Sequence, residues 1–560
     1  MLSRHAPIAI AIVSFIGFGC GGSSSKPDGG GGGSSAGGAG GTMSSTGSGG
    51  LGGGAAGSTG TAGSAMPTGS IVFQSTQATL LDLGAPCTME EGATGDRWCA
   101  FFGPSQVMVG NAALFVVNVT RAAVAGTSIT CGTTDPNCLK LIDSFGEEQF
   151  HPAMFQGDTL VYYDALTGTP FGWRPGMTAG RALAVADANT DLNLCTPGTK
   201  GNTIWCLRDL AAAMQTDPTL ILSDLLAGHL DATADPPLAK IETLISVSAA
   251  DMFSHFEVDF PGGGDTIAWS ARSVASGPEV LKMQTLGNDA SRVTVASGVN
   301  SWLAQPDGSR WYWLSNVSET NGVGALQSAP FPAGTSPIMV AGNVAQFGFP
   351  NPTSLLVVDS AKVMTSFTPP ITAAVTGAAF DTGVLGFIQV SAQGHAAYVK
   401  MAKSNSAGSL TGIDLYVKKA GDATACTLTA TTDAYPFNFS FTPSGVGATW
   451  IQKTLTSGNA QFTRFSDCNK MLVGNNVVFS RSLGNRGILF LDTVDNTTGT
   501  AVARLRTLGS DGALTADAPS AVSGGVGSLI ALASGTTDIL VYTVNNGGNE
   551  DGVYVRGFGP

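Results

Sequence analysis

The stretch TLGNDASRVT, beginning at Thr285, returns as TLGSDGALT beginning at Thr507, and the glycines of the two copies, Gly287 and Gly509, lie 222 residues apart. A looser copy, KAGDATACTLT, places Gly421 at 134 residues from the first and 88 from the last. These distances are close to five, three and two multiples of about 44 residues, a period typical of repeat architectures. Between neighbouring units the match extends further. VASGVNSWLAQPDG (295–308) aligns with VAGNVAQFGFPNP (340–352) at an offset of 45, pairing Val295 with Val340, Val299 with Val344 and Trp302 with Phe347.

Within each period the chain alternates short β-type runs with Gly, Asn, Asp, Ser and Pro turns. LFVVNV (114–119), TLVYYD (159–164), SLLVVD (354–359) and DILVYTV (538–544) are examples. Such runs, rich in β-branched and aromatic residues, predict strands. Several follow a glycine with a large apolar residue five positions on: Gly110/Phe115, Gly157/Tyr162, Gly264/Trp269, Gly308/Trp313, Gly445/Trp450 and Gly474/Phe479. Repeats of this length holding about four strands each predict an all-β chain, a β-propeller of seven or eight four-stranded blades. A blade cannot cover both of its faces alone, so the blades must stack in a ring. Helical patterns are scarce, LRDLAAAMQ (207–215) being the best. The surrounding stretch 207–250 keeps the beat poorly and reads as a candidate insertion.

At AQPDGSRWYWLSN (304–316) the Pro-Asp-Gly turn before an aromatic strand resembles the WD40-like repeat of TolB-type propellers. VLKMQTLGNDASRVT (280–294) and LYVKKAGDATACTLT (415–429) resemble the outer hairpin of such blades. The opening phrases are then the same hairpin of two blades five positions apart. The resemblance implies protein partners in a bacterial envelope.

The first residues, MLSRHAPIAIAIVSFIGFGC, carry an address. Arg4 precedes an apolar run from Ala6 to Phe18. At about 13 residues it is too short to span a bilayer and suits an export signal. The run ends at Cys20, and the segment resembles a bacterial lipoprotein signal: signal peptide 1–19, lipid on Cys20. Gly21 after the cysteine favours, by the same resemblance, the outer membrane; a secreted or periplasmic protein is the alternative. Residues 20–66 are almost wholly Gly, Ser, Ala and Thr, a composition that cannot bury a core. They read as a flexible tether with a typical reach of roughly 40 Å. The propeller is expected over 67–560.

Nine cysteines make an odd number in an exported chain. Assigning Cys20 to the lipid leaves eight, which fall into Cys87/Cys99, Cys131/Cys138, Cys195/Cys206 and Cys426/Cys468, with an oxidising compartment implied. The last pair is about one period apart, on blades whose outer strands should diverge.

The net charge is −13, which disfavours nucleic acid as a partner. HFEVDF (255–260) sets His255, Glu257 and Asp259 on one face of a strand, an imidazole and two carboxylates able in principle to hold a metal or move a proton. The alternative is an amphipathic strand with a wet face. DANTDLN (187–193) spaces Asp187, Asn189 and Asp191 like a calcium loop, but lacks the glycine and glutamate such loops use. Trp311 and Trp313 are expected between blades. G-x-S-x-G at 33–37 and G-x-G-x-x-G at 47–52 fall in the Gly-rich tether, away from any strand–helix junction, and carry nothing.

The expectation is a monomeric envelope lipoprotein, held to the membrane through Cys20, that binds a protein, peptide or glycan without a cofactor. The alternative is a propeller hydrolase or lyase using His255, Glu257 and Asp259 in the channel.

Overall fold

A computed structural model describes residues 66–559, apart from internal stretches of which 146–153, 210–220 and 247–256 are the longest. Cys20, His151, His255, Asp187, Asn189 and Asp191 lie outside the described residues.

The described strands form eight antiparallel sheets. Six are four-stranded and are single blades. Each of the two seven-stranded sheets is two blades sharing one long strand, Ile338–Asn351 or Ser520–Ser534. The first half of Ile338–Asn351 pairs outward with Gly324–Pro330, and the second half pairs with Ser354–Asp359 as the innermost strand of the next blade. The described residues therefore build ten blades, where the sequence predicts seven or eight. In chain order they are 79–145, 154–182, 192–246, 257–297, 299–344, 344–382, 386–429, 435–474, 479–526 and 526–558, hereafter blades 1 to 10.

The second strand of a blade explains the sequence signal. Arg310–Ser315 and Thr159–Tyr163 are buried along their whole length because a neighbouring blade covers each face. Period-two alternation then divides the side chains between neighbours. In blade 5, Trp311 and Trp313 pack on blade 4, and Tyr312 and Leu314 on blade 6. In blade 7, Ala396 and Tyr398 meet blade 6, and Ala397 and Val399 meet blade 8. Every consecutive pair of blades shares one such buried cluster. Ile539, Val541, Val553 and Val555 of blade 10 join Phe101, Phe115 and Val117 of blade 1, which closes the ring.

Closure also uses the start of the described chain. Ser70–Gln74 pairs with Gly552–Phe558 as the outermost strand of blade 10. Thr68 donates its N–H to Tyr542 Oη at 3.0 Å and accepts from Arg556 Nη1 at 2.6 Å. Gly69 adopts φ +118°, and a Cβ there would stand 2.7 Å from the Val555 carbonyl oxygen. Only glycine allows the strand to approach so closely.

Five described crossings from one blade to the next share a chemistry. A residue with positive φ stands before a buried valine at Gly298-Val299, Asn343-Val344, Gly383-Val384, Asn476-Val477 and Gly525-Val526. Each valine lies in the cluster joining the two blades that its crossing connects. The left-handed residue turns the chain inward, and glycine or asparagine tolerates that conformation best.

Gly287 and Gly421 occupy the turn between third and fourth strands of blades 4 and 7, and Gly509 begins the equivalent connection in blade 9. The phrases are thus five blades apart, as their spacing predicts. The glycine/aromatic register is less uniform. At Gly157, Gly264, Gly308 and Gly445 it marks the turn into the second strand, whereas Phe115 lies on a third strand and Phe479 on a first. Conversely, Gly394/Val399 and Gly484/Leu489 mark the same turn with aliphatic residues. A register that demands an aromatic undercounts the blades.

The stretch 207–250 is a correction of the same kind. It is no insertion: Ile221–His229 and Leu238–Ser246 are the third and fourth strands of blade 3. The expected helix at 207–215 begins instead as the end of a strand, Thr203–Asp209, with 210–215 outside the described residues. Blade 3 hides its pattern because its strands carry buried charge. Asp224 is 2.7 Å from Arg208, 2.8 Å from Lys240 and 2.7 Å from Thr243 Oγ1. Burial works against ionisation of Asp224, but these three partners together hold its carboxyl below the usual range.

The crossings make a prediction. Replacing Asn343 by Val should cost about 1–2 kcal/mol through the left-handed backbone, while Asn343→Gly should be near neutral. Urea unfolding of the two variants checks it; equal loss from both would remove the conformational account.

Candidate functional site

Two polar places stand out in the ring. The first is the innermost strand of blade 4, Glu257–Asp259, which pairs with Thr266–Arg272. Glu257 lies on the side of the strand that faces blade 5 and accepts a hydrogen bond from the Trp302 backbone N–H there. Glu257 is exposed by surface area, yet atoms of both blades lie around its carboxyl. That crowding pushes its pKa up to about 7, with the negative charges of Asp259 and Glu279 adding and the Trp302 N–H opposing. Asp259 is half-buried and accepts from the Phe260 N–H at 2.7 Å. Glu257 and Asp259 thus occupy one strand as the sequence predicts, with His255 beyond the described residues. Among the described residues, no cluster of three or more His, Cys, Asp or Glu could hold a metal ion.

The expected inter-blade tryptophans and the two described histidines have packing or turn roles. Trp311 and Trp313 are buried between blades 4 and 5. His229 hydrogen-bonds Asn202 Oδ1 through Nδ1 at 3.0 Å and sets Nε2 3.2 Å from Asp265. Ser391 binds His395 from two sides, and burial, reinforced by Lys419 and opposed by Asp422, lowers the pKa of this imidazole.

The second place was not read from the sequence. A cleft of about 490 Å³ opens between blades 1 and 2, on the face bearing the turns from first to second and third to fourth strands. Its blade 1 wall carries Asp96, Asn118, Arg121 and Asn137; its blade 2 wall carries Asp158 and Arg174. Ala112–Asn118 ends at the cleft, and Asn118 caps the short helix Val119–Ala122 by accepting the Arg121 N–H at 3.0 Å. The Asn118 amide donates to Asp96 Oδ2 at 3.0 Å, and Arg121 Nε reaches the same oxygen at 3.6 Å. Across the cleft, Arg174 Nη2 donates to Asp158 Oδ2 at 2.8 Å.

The blade 1 wall is covalently braced. Cys87–Cys99 ties the base of the loop carrying Asp96, and Cys131–Cys138 ties the loop carrying Asn137. Cys195–Cys206 links paired residues of blade 3, and Cys426–Cys468 joins blades 7 and 8 with Cα atoms 5.1 Å apart. The divergence expected for that last pair is avoided by placement. Cys426 opens a fourth strand and Cys468 sits in the turn before the next blade's fourth strand, so the link crosses near the rim. The sequence sign of the cleft was the density of cysteines in blade 1: two local clips in a blade already held by packing on both faces.

No protein-family model and no curated protein matches the chain. Among solved structures it aligns with a eukaryotic initiation factor at 12 % identity and TM-score 0.43, over 76 % of this chain and 96 % of that one. The β-propeller domain of the Trilobed protease from Pyrococcus furiosus aligns at 9 % and 0.30, over 58 % and 94 %. TolB from Acinetobacter baumannii aligns at 10 % and 0.22, over 65 % and 77 %. The chain spans about half the length of the tricorn protease, 47 %, that it also matches. These likenesses are of fold alone, and the propeller assignment stands on the sheet order and ring closure above.

Glu257 yields a pH prediction. Its folded-state pKa of about 7 exceeds the ordinary 4.5. Both states are protonated below that lower value; as pH rises through the window between them, the unfolded chain releases a proton the fold retains, and stability is lost. Glu257→Gln should therefore raise the thermal midpoint by about 1 °C or more near pH 8 and leave it unchanged near pH 4. A rise of equal size at both pH values would point to packing instead.

Proposed function

We propose that this protein is an envelope lipoprotein, anchored in the outer membrane through Cys20, whose tethered propeller binds a peptide, protein or glycan without transforming it. The observation that carries the reading is the cleft between blades 1 and 2. Its walls present both signs of charge and amide groups, and two disulfides hold its loops. That is an arrangement for recognition by preorganised polar groups. The sequence supports the anchor: an apolar run ending at Cys20, then a Gly/Ser/Ala tether, then eight cysteines paired among themselves.

A second reading, a hydrolase or lyase in the channel, draws on Glu257, whose carboxyl titrates near neutrality as an acid–base group would. Its proposed partner His255 lies outside the described residues, so the binding reading has the fuller geometry.

Two measurements test the proposal. Mass spectrometry of the protein extracted from its own membrane should find an acylated Cys20 as N-terminus, and Cys20→Ser should release the chain from the membrane fraction. A panel of short peptides and oligosaccharides should include ligands whose affinity falls at least about tenfold in Cys131→Ser/Cys138→Ser, with the ring still folded. Turnover of any panel member, abolished by Glu257→Gln, would overturn the binding reading in favour of the enzyme.

A further inference from the structure

The two arginines of the cleft are committed to different degrees. Arg174 is 22 % exposed and donates from a terminal nitrogen to Asp158 at 2.8 Å. Arg121 is 60 % exposed and touches Asp96 through Nε alone, at 3.6 Å. Among the described residues its Nη1/Nη2 edge has no partner. Such an edge presents two parallel N–H donors in the geometry that a carboxylate accepts bidentately. Around it, beside the Thr127 hydroxyl and the second amide N–H of Asn118 and Asn137, stand oxygen acceptors with free capacity. Asp96 Oδ1 has no partner among the described residues, and the Asn137 side chain gives one amide N–H to Asp135 and keeps its carbonyl oxygen. Asp158 accepts from Arg174 and Thr159 and retains lone pairs.

We infer that the cleft binds a sugar acid, with Arg121 taking the carboxylate and Asp96, Asn137 and Asp158 accepting from the hydroxyls. The inference rests on the binding reading above and names its ligand class. One open cation among three oxygen acceptors matches a ligand with one carboxylate and several O–H donors. A peptide end matches less well. It brings a carboxylate but few N–H groups within the same reach, and its side chain would meet walls of Asp, Asn and Arg. A neutral sugar would leave the Arg121 edge unanswered. The net charge of −13 makes this edge a local exception on an acidic protein. Selection of an anion must therefore come from the contact itself rather than from long-range steering. Trp98, on the same wall, is buried and edge-on to Trp173 at 5.3 Å, so it serves as floor rather than as a stacking platform.

The test is calorimetric titration of the whole propeller with galacturonate and glucuronate oligomers, the matching neutral oligomers, and a tripeptide with free or amidated C-terminus. The acidic oligomers should bind at least about tenfold more tightly than the neutral ones. Arg121→Ala should abolish that difference, Arg121→Lys should restore part of it, and Arg174→Ala should weaken acidic and neutral oligomers alike. Arg121 is exposed on a short helix, so its variants should keep the parent's thermal midpoint, which circular dichroism checks. Tripeptide binding that needs the free carboxylate, without uronate binding, would overturn the sugar class and leave the binding reading standing. Uronate binding unchanged in Arg121→Ala would overturn the assignment of that residue. No binding by any probe would overturn the proposal, and a panel ligand insensitive to every cleft variant would carry the binding reading down with it.

Discussion

Everything in this molecule depends on the contact between its last blade and its first. A four-stranded blade exposes two apolar faces, and each of the ten gains cover only from its neighbours. A row of blades would leave Ile539, Val541, Phe101 and Phe115 in water at its two ends; the closed ring buries them against one another. The seam is therefore reinforced in several ways. It has the apolar cluster, the strand Ser70–Gln74 laid onto Gly552–Phe558, the Thr68 hydrogen bonds, and Arg97 reaching from blade 1 to the Ala533 carbonyl of blade 10 at 2.9 Å. Circular closure also makes the remaining blades interdependent, since a blade that opens uncovers both its neighbours.

The fold was legible where packing writes directly into sequence. Buried on both faces, the second strands must be apolar without interruption, and runs such as SLLVVD and DILVYTV announced them. Several turns between third and fourth strands use a left-handed residue, and Gly287 and Gly421 announced two of those. Blade number was not legible, because the landmark chosen for counting does not keep its spacing. Tyr162, Trp269, Trp313 and Trp450 face the preceding blade. In blades 7 and 9 the fifth residue after the glycine, Val399 or Leu489, faces the following one, and Tyr398 and Ile488 take the side toward the preceding blade. The crossing pair, a glycine or asparagine followed by valine, is the steadier mark. Its first residue is constrained by backbone geometry and its second by the joint it fills. The alignment of Val299 with Val344 contained that mark without identifying its cause. Blade 3 was obscured for the opposite reason: Arg208 and Asp224 read as surface residues when taken singly, and only their pairing across strands makes them interior.

The candidate sites show a similar division. A run such as HFEVDF is visible because its residues are adjacent in sequence. The cleft draws Asp96, Asn118, Asn137, Asp158 and Arg174 from turns spread over nearly eighty residues, and no local pattern unites them. Their convergence comes from chain direction. Every blade sends its first-to-second and third-to-fourth turns to the same face, so adjacent blades bring four such turns around one joint. Joints elsewhere have the same turns, but blade 1 adds the capped helix and two disulfides, and these hold the wall open in a defined shape.

That face has a further property. The strand Ser70–Gln74 begins beside the end of Gly552–Phe558, and third strands end on the cleft face. The chain therefore enters the ring on the side of the cleft, one joint away from it. The helix bearing Arg121 packs against the same end of blade 10, where a Cβ on Gly557 would stand 2.4 Å from the Ala123 carbonyl oxygen. Entry strand, ring seam and cleft wall are thus one continuous piece of structure. The disulfides Cys87–Cys99 and Cys131–Cys138 belong to the apolar cluster of the seam and at the same time close the loops of the cleft wall, so one set of covalent links fixes both.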